Sequence, residues 1–309
     1  MSTTTDHLKI EHDAPIPTWF HIGGGARRLA RPESAVELIA CLEIDDEFKV
    51  LGEGANLLVD DDGVSNLVVS LQTDGFRRSE LDPATGIVRA GAGVSLPGLI
   101  SRCVRDGLGG LEALSGIPAT LGGAAIMNAG GSFGSLSDFV LAVHAVDRVG
   151  REHTFERSQI DFNYRQSHLN HLIVTEVVLQ LTPGDPTDFR RRRAECMEYK
   201  SKSQPLSDKS AGCVFKNPTL LEPIEGIGGA SERVGAGLLI DRAGCKGMSV
   251  GGASVSTLHA NFITTTKDAR ARDVIDLIEQ VRQRVESVYG VTLHNEVVIW
   301  SDQPQGATH

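Results

Sequence analysis

A short run around residue 213 combines residue types that could bind an anion and transfer a proton. Residues 212–218 read GCVFKNP, so the thiol of Cys213 is followed by the cation Lys216 and the amide of Asn217. A thiol can donate a proton, whereas an ammonium group and an amide can hold an anion through hydrogen bonds. We interpret this run as part of a site that binds an anionic substrate and protonates it.

A second candidate for anion binding lies upstream, and an isolated carboxyl group lies downstream. Residues 162–167 read FNYRQS and place Tyr164 beside Arg165, and Glu296 follows near the end of the chain. A guanidinium group stays charged and can grip a carboxylate through two parallel hydrogen bonds. Arg165 is therefore a candidate for stabilising negative charge on a substrate, with a structural salt bridge as the alternative.

The thiol of Cys213 is the candidate proton donor. An ordinary cysteine has a pKa of about 8.5, so its thiol is mostly protonated at neutral pH and is more acidic than a serine hydroxyl. Lys216 could stabilise a thiolate, which cannot donate a proton, so we expect the anionic substrate to engage Lys216 and leave the thiol neutral. A buried structural thiol is the alternative. The other four cysteines are expected to serve packing: Cys41, Cys103, Cys196 and Cys245.

Two glycine-rich segments could hold a nucleotide. In the first, Gly52, Gly54, Ala55 and Asn56 follow a predicted strand, but Leu57 replaces the third glycine of the dinucleotide motif and a second strand follows. This excludes the Rossmann arrangement, in which a helix N-terminus meets the pyrophosphate. Successive backbone N–H groups in such a loop can still bind phosphate, and an ordinary glycine hairpin is the alternative.

The second segment, residues 115–130, reads SGIPATLGGAAIMNAG and is small and uncharged throughout. A backbone this bare can lie directly against a flat ring or a diphosphate, and a core packing motif is the alternative. An isoalloxazine ring with a diphosphate tail would suit it. The candidate cofactor contacts here are Ser115, Gly116, Ile117, Pro118, Thr120, Gly122, Gly123, Asn128, Ala129 and Gly130.

The elements that must position these groups follow from hydrophobic periodicity and from turn residues. Helices are predicted from Ser34 through Cys41, over 96–106 and 189–203, from a Ser231 cap through Ala243, and over 268–289. Strands are predicted over 48–51, 57–59, 67–69, 87–90, 140–149, 172–181 and 291–300. This mixture without strict alternation favours an α+β fold. Residues 1–18 are predicted to be a polar tail, and the proline-rich turn at 183–186 is predicted to separate domains over 19–186 and 187–303.

Composition narrows the function classes. The 309 residues are 40% hydrophobic and 23% charged, with a net charge of −10, which is typical of a soluble globular protein without general affinity for nucleic acid or membrane. The start lacks a signal-peptide core, and no apolar run is long enough to span a membrane. Five widely spaced cysteines without CxxC favour a reducing, cytoplasmic location. We expect a monomer and no metal site, with the His168 and His171 pair lying in a solvated loop.

Seven motifs occur in an order that resembles one enzyme family. The two glycine segments, as GEGANLL and SGIPATLGGAAIMNAG, are followed by FNYRQS, GCVFKNP, GAGLLIDRAG, GGASVSTLHANFI and LHNEV. Together they resemble the UDP-N-acetylenolpyruvoylglucosamine reductase (MurB) family over about residues 17–300. The resemblance implies an FAD-binding domain of the vanillyl-alcohol-oxidase (PCMH) type, followed by a smaller α/β substrate-binding domain. It also implies non-covalent FAD, NADPH as co-substrate, a UDP-sugar substrate and a role in peptidoglycan precursor synthesis.

The resemblance also implies roles for particular residues. Hydride passes from flavin N5 to the methylene carbon of an enolpyruvyl ether, and the catalytic residues are Arg165, Cys213 and Glu296. Glu296 is expected to be protonated and to donate a hydrogen bond to the developing negative charge. The expected substrate contacts are Tyr164, Lys216, Asn217, His259 and Asn261.

Some features depart from the family pattern, and two other functions remain open. Cys213 stands where serine is usual and His21 where arginine is common, and the short span from Arg165 to Cys213 is typical of the subtype without the extra substrate-capping loop. One alternative is another flavin enzyme, such as an oxidase of small alcohols, which would explain the glycine segments alone. The other is a non-catalytic nucleotide-binding paralogue, for which the serine-to-cysteine change is the only hint.

Overall fold

The computed structural model describes residues 8–303, in which helices and strands alternate irregularly. This confirms the α+β class. The six helices in this part of the chain are α1 (Ala35–Ile44), α2 (Leu96–Arg105), α3 (Leu121–Ile126), α4 (Pro186–Ser203), α5 (Ala236–Arg242) and α6 (Ala271–Tyr289). Short 3-10 helices cover Leu111–Leu114, Leu136–Asp138 and Arg157–Gln159. The strands in chain order are β1 (Ile10–Ala14), β2 (Ala26–Ala30), β3 (Lys49–Leu51), β4 (Leu57–Val59), β5 (Val64–Ser70), β6 (Ser79–Asp82), β7 (Ile87–Gly91), β8 (Leu108–Gly109), β9 (Gly130–Gly131), β10 (Gly134–Ser135), β11 (Val140–Val146), β12 (Glu152–Glu156), β13 (Phe162–Asn163), β14 (Gln166–Ser167), β15 (Ile173–Gln180), β16 (Thr182–Pro183), β17 (Ser249–Val250), β18 (Ala253–Val255), β19 (Ile263–Thr265) and β20 (Val298–Trp300).

The chain forms two compact units, and each draws on more than one stretch of sequence. The first unit contains residues 8–14 together with Ala26–Glu53 and Ser65–Lys200. The second unit contains Pro15–Gly25, Gly54–Val64 and residues 201–303. The loop at 52–56 is therefore shared between the units, with Gly52 in the first and Gly54 in the second. The domain boundary that we predicted at 186–187 remains a prediction about functional domains.

Two sheets organise the first unit. One has the order β1-β2-β5-β3, and the other has the order β12-β11-β15-β7-β6. The long strand β15 lies between β11 and β7, antiparallel to both, and its side chains at Val177 and Leu179 are fully buried. Branched apolar residues fit such a central strand because they pack well on both faces of the pleat. The resulting core also buries one face of α2, including Leu96, Leu99 and Cys103.

The second unit packs α5 and α6 around a smaller core. Helix α6 buries the apolar stripe Val274, Ile278, Val281 and Val285, which has the spacing of one helix face. Gly290, with φ of +66°, ends this helix in the left-handed conformation that glycine adopts without steric cost. The sheet β17-β18-β19 and the parallel pair β20–β4 supply the strands of this unit.

Three predicted elements differ from the structure. Residues 10–14 of the predicted polar tail form β1, because pairing with β2 satisfies their backbone groups. Residues 1–7 of that tail lie outside the described residues. Helix α5 starts at Ala236 and not after Ser231, since the side chain of Asn217 caps the Ala236 N–H. The last predicted strand is reduced to β20, because residues 294–297 bond irregularly to a neighbouring segment.

The basic helix α4 is occupied by internal ion pairs along its exposed face. Arg191 contacts Asp188 and Glu195, at N–O distances of 3.4 Å and 2.9 Å. Pairs at this spacing are the ordinary stabilising contacts of an exposed helix. This is the arrangement of a solvated helix face. Among residues 8–303, no helix combines the length and apolarity that a membrane crossing needs.

Candidate functional site

Arg165 lies in the tight turn of a hairpin in the first unit. Strands β13 and β14 pair Asn163 with Gln166, which leaves Tyr164 and Arg165 as the two turn residues. Arg165 has φ of +55°, a left-handed conformation that costs a non-glycine residue about 1–2 kcal/mol. Its guanidinium carbon lies 5.6 Å from the centre of the Tyr164 ring. A conformation of this cost persists only where surrounding contacts enforce it, which is common at functional sites.

Three hydrogen bonds fix this hairpin to the end of the small-residue segment 115–130. Arg165 Nη1 donates to the Gly130 carbonyl at 2.6 Å. Asn128 Nδ2 donates to the Asn163 carbonyl at 3.0 Å, and Ser167 Oγ donates to the Ile126 carbonyl at 2.8 Å. The structure therefore brings together the predicted catalytic arginine and the predicted cofactor segment within the first unit.

Several predicted cofactor contacts use their side chains to build this segment. Thr120 is the N-cap of α3, and its Oγ1 accepts from the Gly123 N–H at 3.3 Å. Asn128, with φ of +41°, is 6% exposed, and its Oδ1 accepts from the Ser137 N–H. A Cβ at Gly52 would lie 2.8 Å from Thr120 Oγ1, so only glycine allows that approach. These residues shape the segment through internal contacts, which leaves mainly backbone groups for a ligand.

Lys200 is a buried cation at the start of the same segment, and sequence reasoning missed it. Its residue is 8% exposed, and its Nζ donates to the Ser115 carbonyl at 2.6 Å. Burial lowers the pKa of Lys200, and the positive charge of Arg165 lowers it further while Cys196 opposes the shift. The available signal was its spacing, because Lys200 shares one face of α4 with the buried residues Phe189 and Cys196.

In the second unit, the segment around Cys213 lies between the segment of Phe262 and the segment of Asn295. Cys213 forms an antiparallel bridge with Phe262, and Phe215 forms one with Asn295. Val214 and Phe215 are each 1% exposed, whereas Cys213 is half-buried. The segment is therefore anchored by the buried side chains of Val214 and Phe215, and the thiol lies at a partly accessible position. Burial raises the pKa of the other four cysteine thiols, to about 12 at Cys41 and at Cys103.

Asn261, a predicted substrate contact, clamps the backbone beside Cys213. Its Oδ1 accepts from the Phe215 N–H at 2.9 Å, and its Nδ2 donates to the Phe215 carbonyl at 2.8 Å. The residue is 2% exposed, and its own carbonyl accepts from the Val214 N–H at 2.8 Å. Both ends of the amide are thus engaged by backbone groups. This geometry favours a positioning role over a substrate contact.

Glu296 lies in the second segment that flanks Cys213, at a point where the backbone pairing is irregular. The Glu296 N–H and the Val297 N–H both donate to the Val214 carbonyl, at 2.7 Å and 3.2 Å. Two residues opposing one is the arrangement of a β-bulge, which often redirects a side chain next to an active site. Asn56 Nδ2 donates to the Glu296 carbonyl at 2.9 Å. The structure thus brings Cys213, Glu296 and the second part of the glycine loop into one cluster.

The remaining predicted substrate contacts surround the same segment. The Lys216 N–H donates to the His294 carbonyl at 2.9 Å, and its side chain is half-buried. Asn217 Oδ1 accepts from the Ala236 N–H at the start of α5. His259 packs edge-on against Phe262, and burial lowers the pKa of its imidazole, which therefore favours the neutral form. The cluster combines one cation with groups held in fixed backbone geometry.

Comparisons with known proteins cover nearly the whole chain. Residues 204–300 match the family described as UDP-N-acetylenolpyruvoylglucosamine reductase, C-terminal domain, and residues 26–156 match an FAD binding domain. A UDP-N-acetylenolpyruvoylglucosamine reductase of Moorella thermoacetica is 41% identical over 96% of this chain and 94% of its own. The chain belongs to the UDP-N-acetylenolpyruvoylglucosamine reductase family. It is therefore a flavin-dependent oxidoreductase.

Other members of the reductase family agree with this assignment. The reductase of Synechococcus sp. (strain CC9605) is 39% identical over 92% of each chain. The crystal structure of UDP-N-acetylenolpyruvylglucosamine reductase (MurB) from Thermus caldophilus superposes with a TM-score of 0.79 at 37% identity, covering 95% of this chain and all of that one. The FAD-binding fold and the family that the seven motifs predicted are confirmed.

The residues of the first unit fit an FAD cofactor. Ser115 is 2% exposed, and its Oγ has no hydrogen-bond partner among the described residues. An unpaired buried hydroxyl is costly, so this atom suits a ligand that completes its hydrogen bonding. The cation Lys200, which meets this segment at Ser115, suits the charge of a diphosphate. Within residues 8–303, no group of three or more His, Cys, Asp or Glu side chains could hold a metal ion.

Proposed function

We propose that this reductase converts UDP-N-acetylglucosamine enolpyruvate into UDP-N-acetylmuramate with electrons from NADPH, as a step in the synthesis of peptidoglycan precursors. The observation that carries the proposal is the placement of Cys213. Its thiol is half-buried on an extended segment that is held on one side by Asn261 and on the other by the segment of Glu296. A group that donates a proton to one particular carbon atom must be held in a fixed position, and these contacts hold the backbone that carries the thiol.

The cofactor supplies only the hydride in this scheme. FAD, when bound, would supply the hydride that reduces the methylene carbon of the enolpyruvyl group, with NADPH as the source of electrons. Ser115, Gly116 and the backbone of the α3 segment would hold it, together with the loop at 52–56. The chemistry left to the side chains is stabilisation of the resulting charge and transfer of one proton.

Arg165 and Glu296 stabilise the charge that develops beside the substrate carboxylate. The Arg165 guanidinium, fixed through Gly130, provides a permanent cation whose planar fork matches the geometry of a carboxylate. Glu296, in its protonated form, donates a hydrogen bond to the same group, since two like charges at short range are costly. Such preorganised donors act mainly on the transition state.

Cys213 completes the reduction by protonating the carbon next to the carboxylate. The S–H bond breaks as the new C–H bond forms, which leaves a thiolate that solvent reprotonates before the next turnover. Lys216 engages the substrate phosphates, so its charge is neutralised while Cys213 must remain protonated. Tyr164, Asn217 and His259 contribute further contacts to the sugar nucleotide, whereas Asn261 acts through Phe215.

The experiment is a two-step titration followed by the visible absorbance of the flavin. NADPH should bleach the purified yellow protein under anaerobic conditions, and UDP-N-acetylglucosamine enolpyruvate should then restore the colour and yield UDP-N-acetylmuramate. Colour restored by oxygen but not by the enolpyruvyl sugar would instead support an oxidase of small alcohols. A colourless protein that consumes no NADPH would support a non-catalytic paralogue.

A further inference from the structure

Arg282 of α6 makes two hydrogen bonds to the segment that carries Glu296. Its Nε donates to the Leu293 carbonyl at 3.1 Å, and its Nη2 donates to Asn295 Oδ1 at 2.8 Å. Its Nη1 meets the Glu279 carboxylate one turn earlier on the helix. The side chain of Arg282 is only 12% exposed. These contacts place a desolvated, charge-compensated guanidinium directly behind residues 293–295.

The segment needs such support because it lacks regular strand pairing. Residues 291–297 are outside any strand, and β20 starts only at Val298. On one side the segment bonds to residues 214–216 through the doubled contact on the Val214 carbonyl and through Lys216 to His294. On another side Asn56 holds the Glu296 carbonyl. From helix α6, Arg282 bonds to this segment as far as Asn295, the residue that precedes Glu296.

We propose that Arg282 is a positioning residue for Glu296. The fork of its guanidinium fixes the backbone at Leu293 and the side chain of Asn295, and Asn295 lies opposite Phe215 in the strand of Cys213. Arg282 thereby sets the register between Glu296 and Cys213. It contacts neither predicted reacting group, so it acts through the segment. This inference rests on the proposed function of Glu296 and Cys213.

Helix α6 also offers a matched control. Arg284, two residues later, donates through Nε to the Ala243 carbonyl at 3.0 Å, at the end of α5. Arg282 and Arg284 thus each brace a backbone carbonyl from the same helix, but only Arg282 braces the segment of Glu296. A general loss of helix packing would affect both variants, whereas loss of positioning would affect only one.

The test compares the two half-reactions in Arg282→Met, Arg284→Met and Asn295→Ala by stopped-flow absorbance of the holoenzyme. In Arg282→Met we expect reoxidation by the enolpyruvyl sugar nucleotide to slow by about tenfold to a hundredfold, which is typical when a reacting group is displaced by about 1 Å. Flavin reduction by NADPH should stay within about twofold of the wild type, since Arg282 acts only on the oxidative half-reaction. Arg284→Met should leave both half-reactions near the wild-type rate.

Two further readouts separate positioning from damage to the fold. Asn295→Ala keeps the Leu293 bond, so it should show a smaller loss, and adding it to Arg282→Met should cause little further change. Arg282→Lys, which can reach one acceptor, should recover part of the rate. Unchanged reoxidation in a folded Arg282→Met protein, or equal losses in Arg284→Met, would overturn the inference. A wild-type protein that NADPH reduces but the enolpyruvyl sugar fails to reoxidise would instead overturn the proposed function itself.

Discussion

Replacing Asn261 tests whether this residue holds the protein together or contacts the substrate. Asn261→Ala removes both hydrogen bonds to Phe215, which is 1% exposed, so a buried N–H and a buried carbonyl lose their partner. Each unsatisfied buried group costs about 1–3 kcal/mol, which gives a combined loss of about 2–6 kcal/mol. Since whole domains are stable by only about 5–15 kcal/mol, the loss should be large enough to measure directly.

The two tryptophans make the assay specific for the second unit. Trp19 and Trp300 are the only tryptophans in the sequence, and both belong to that unit. Urea unfolding followed by tryptophan fluorescence should therefore show a strongly lowered midpoint in Asn261→Ala. Asn217→Ala calibrates the scale, because it removes a single helix cap from a half-buried residue and should cost about 1 kcal/mol.

The opposite pattern would refute the reasoning. If Asn261→Ala unfolds at the wild-type urea concentration while the KM for the sugar nucleotide rises severalfold, the amide contacts substrate and does not clamp the strand. Asn261→Asp refines the test, since it keeps the acceptor for the Phe215 N–H and loses the donor for the Phe215 carbonyl. Its stability should be no higher than that of Asn261→Ala, because the buried carboxylate places its second oxygen against the Phe215 carbonyl oxygen.

Two more outcomes follow from the electrostatics and exposure of single groups. Burial lowers the pKa of Lys200 in the folded state, so between that pKa and about 10.4 the unfolded chain binds more protons than the folded one. The free energy of unfolding of the wild type, measured relative to Lys200→Met, should therefore rise with pH across this window. A difference that does not change with pH would contradict the burial of the ammonium group. Four of the five thiols are buried and have raised pKa values, so only Cys213 should react with iodoacetamide near neutral pH. The intact mass of the native protein should show one adduct, and that of Cys213→Ser should show none. Adducts at Cys41 or Cys103 would contradict this prediction.

Elements with a strong periodic pattern could be predicted from the sequence. The stripe of α6, its Gly290 stop and the Ser34 cap of α1 were all visible in local residue types, because these features depend on neighbours within a few positions. Strand β15 was equally clear from its run of branched residues. The seven ordered motifs were enough to predict the family and the FAD-binding fold.

Features set by distant partners could not be predicted. The start of α5 depends on Asn217, which lies 19 residues upstream. The strand expected over 291–300 is shortened because the N–H groups of Glu296 and Val297 both donate to the Val214 carbonyl. Lys200 and Arg282 illustrate the same limit at the site. Each is a cation on a helix whose charged neighbours are exposed. Only tertiary packing shows that Lys200 is buried, that Arg282 is mostly shielded from solvent and that both are bonded to functional segments.

The reaction of a Cys213→Ala variant with the enolpyruvyl sugar nucleotide tests the central claim most directly. In an anaerobic stopped-flow experiment, NADPH should bleach the flavin of this variant at the wild-type rate, because the thiol has no part in that step. Return of the colour after adding UDP-N-acetylglucosamine enolpyruvate should be slowed by about a hundredfold or more, and Cys213→Ser should retain measurable turnover. Reoxidation of the alanine variant at the wild-type rate would show that the proton comes from another group.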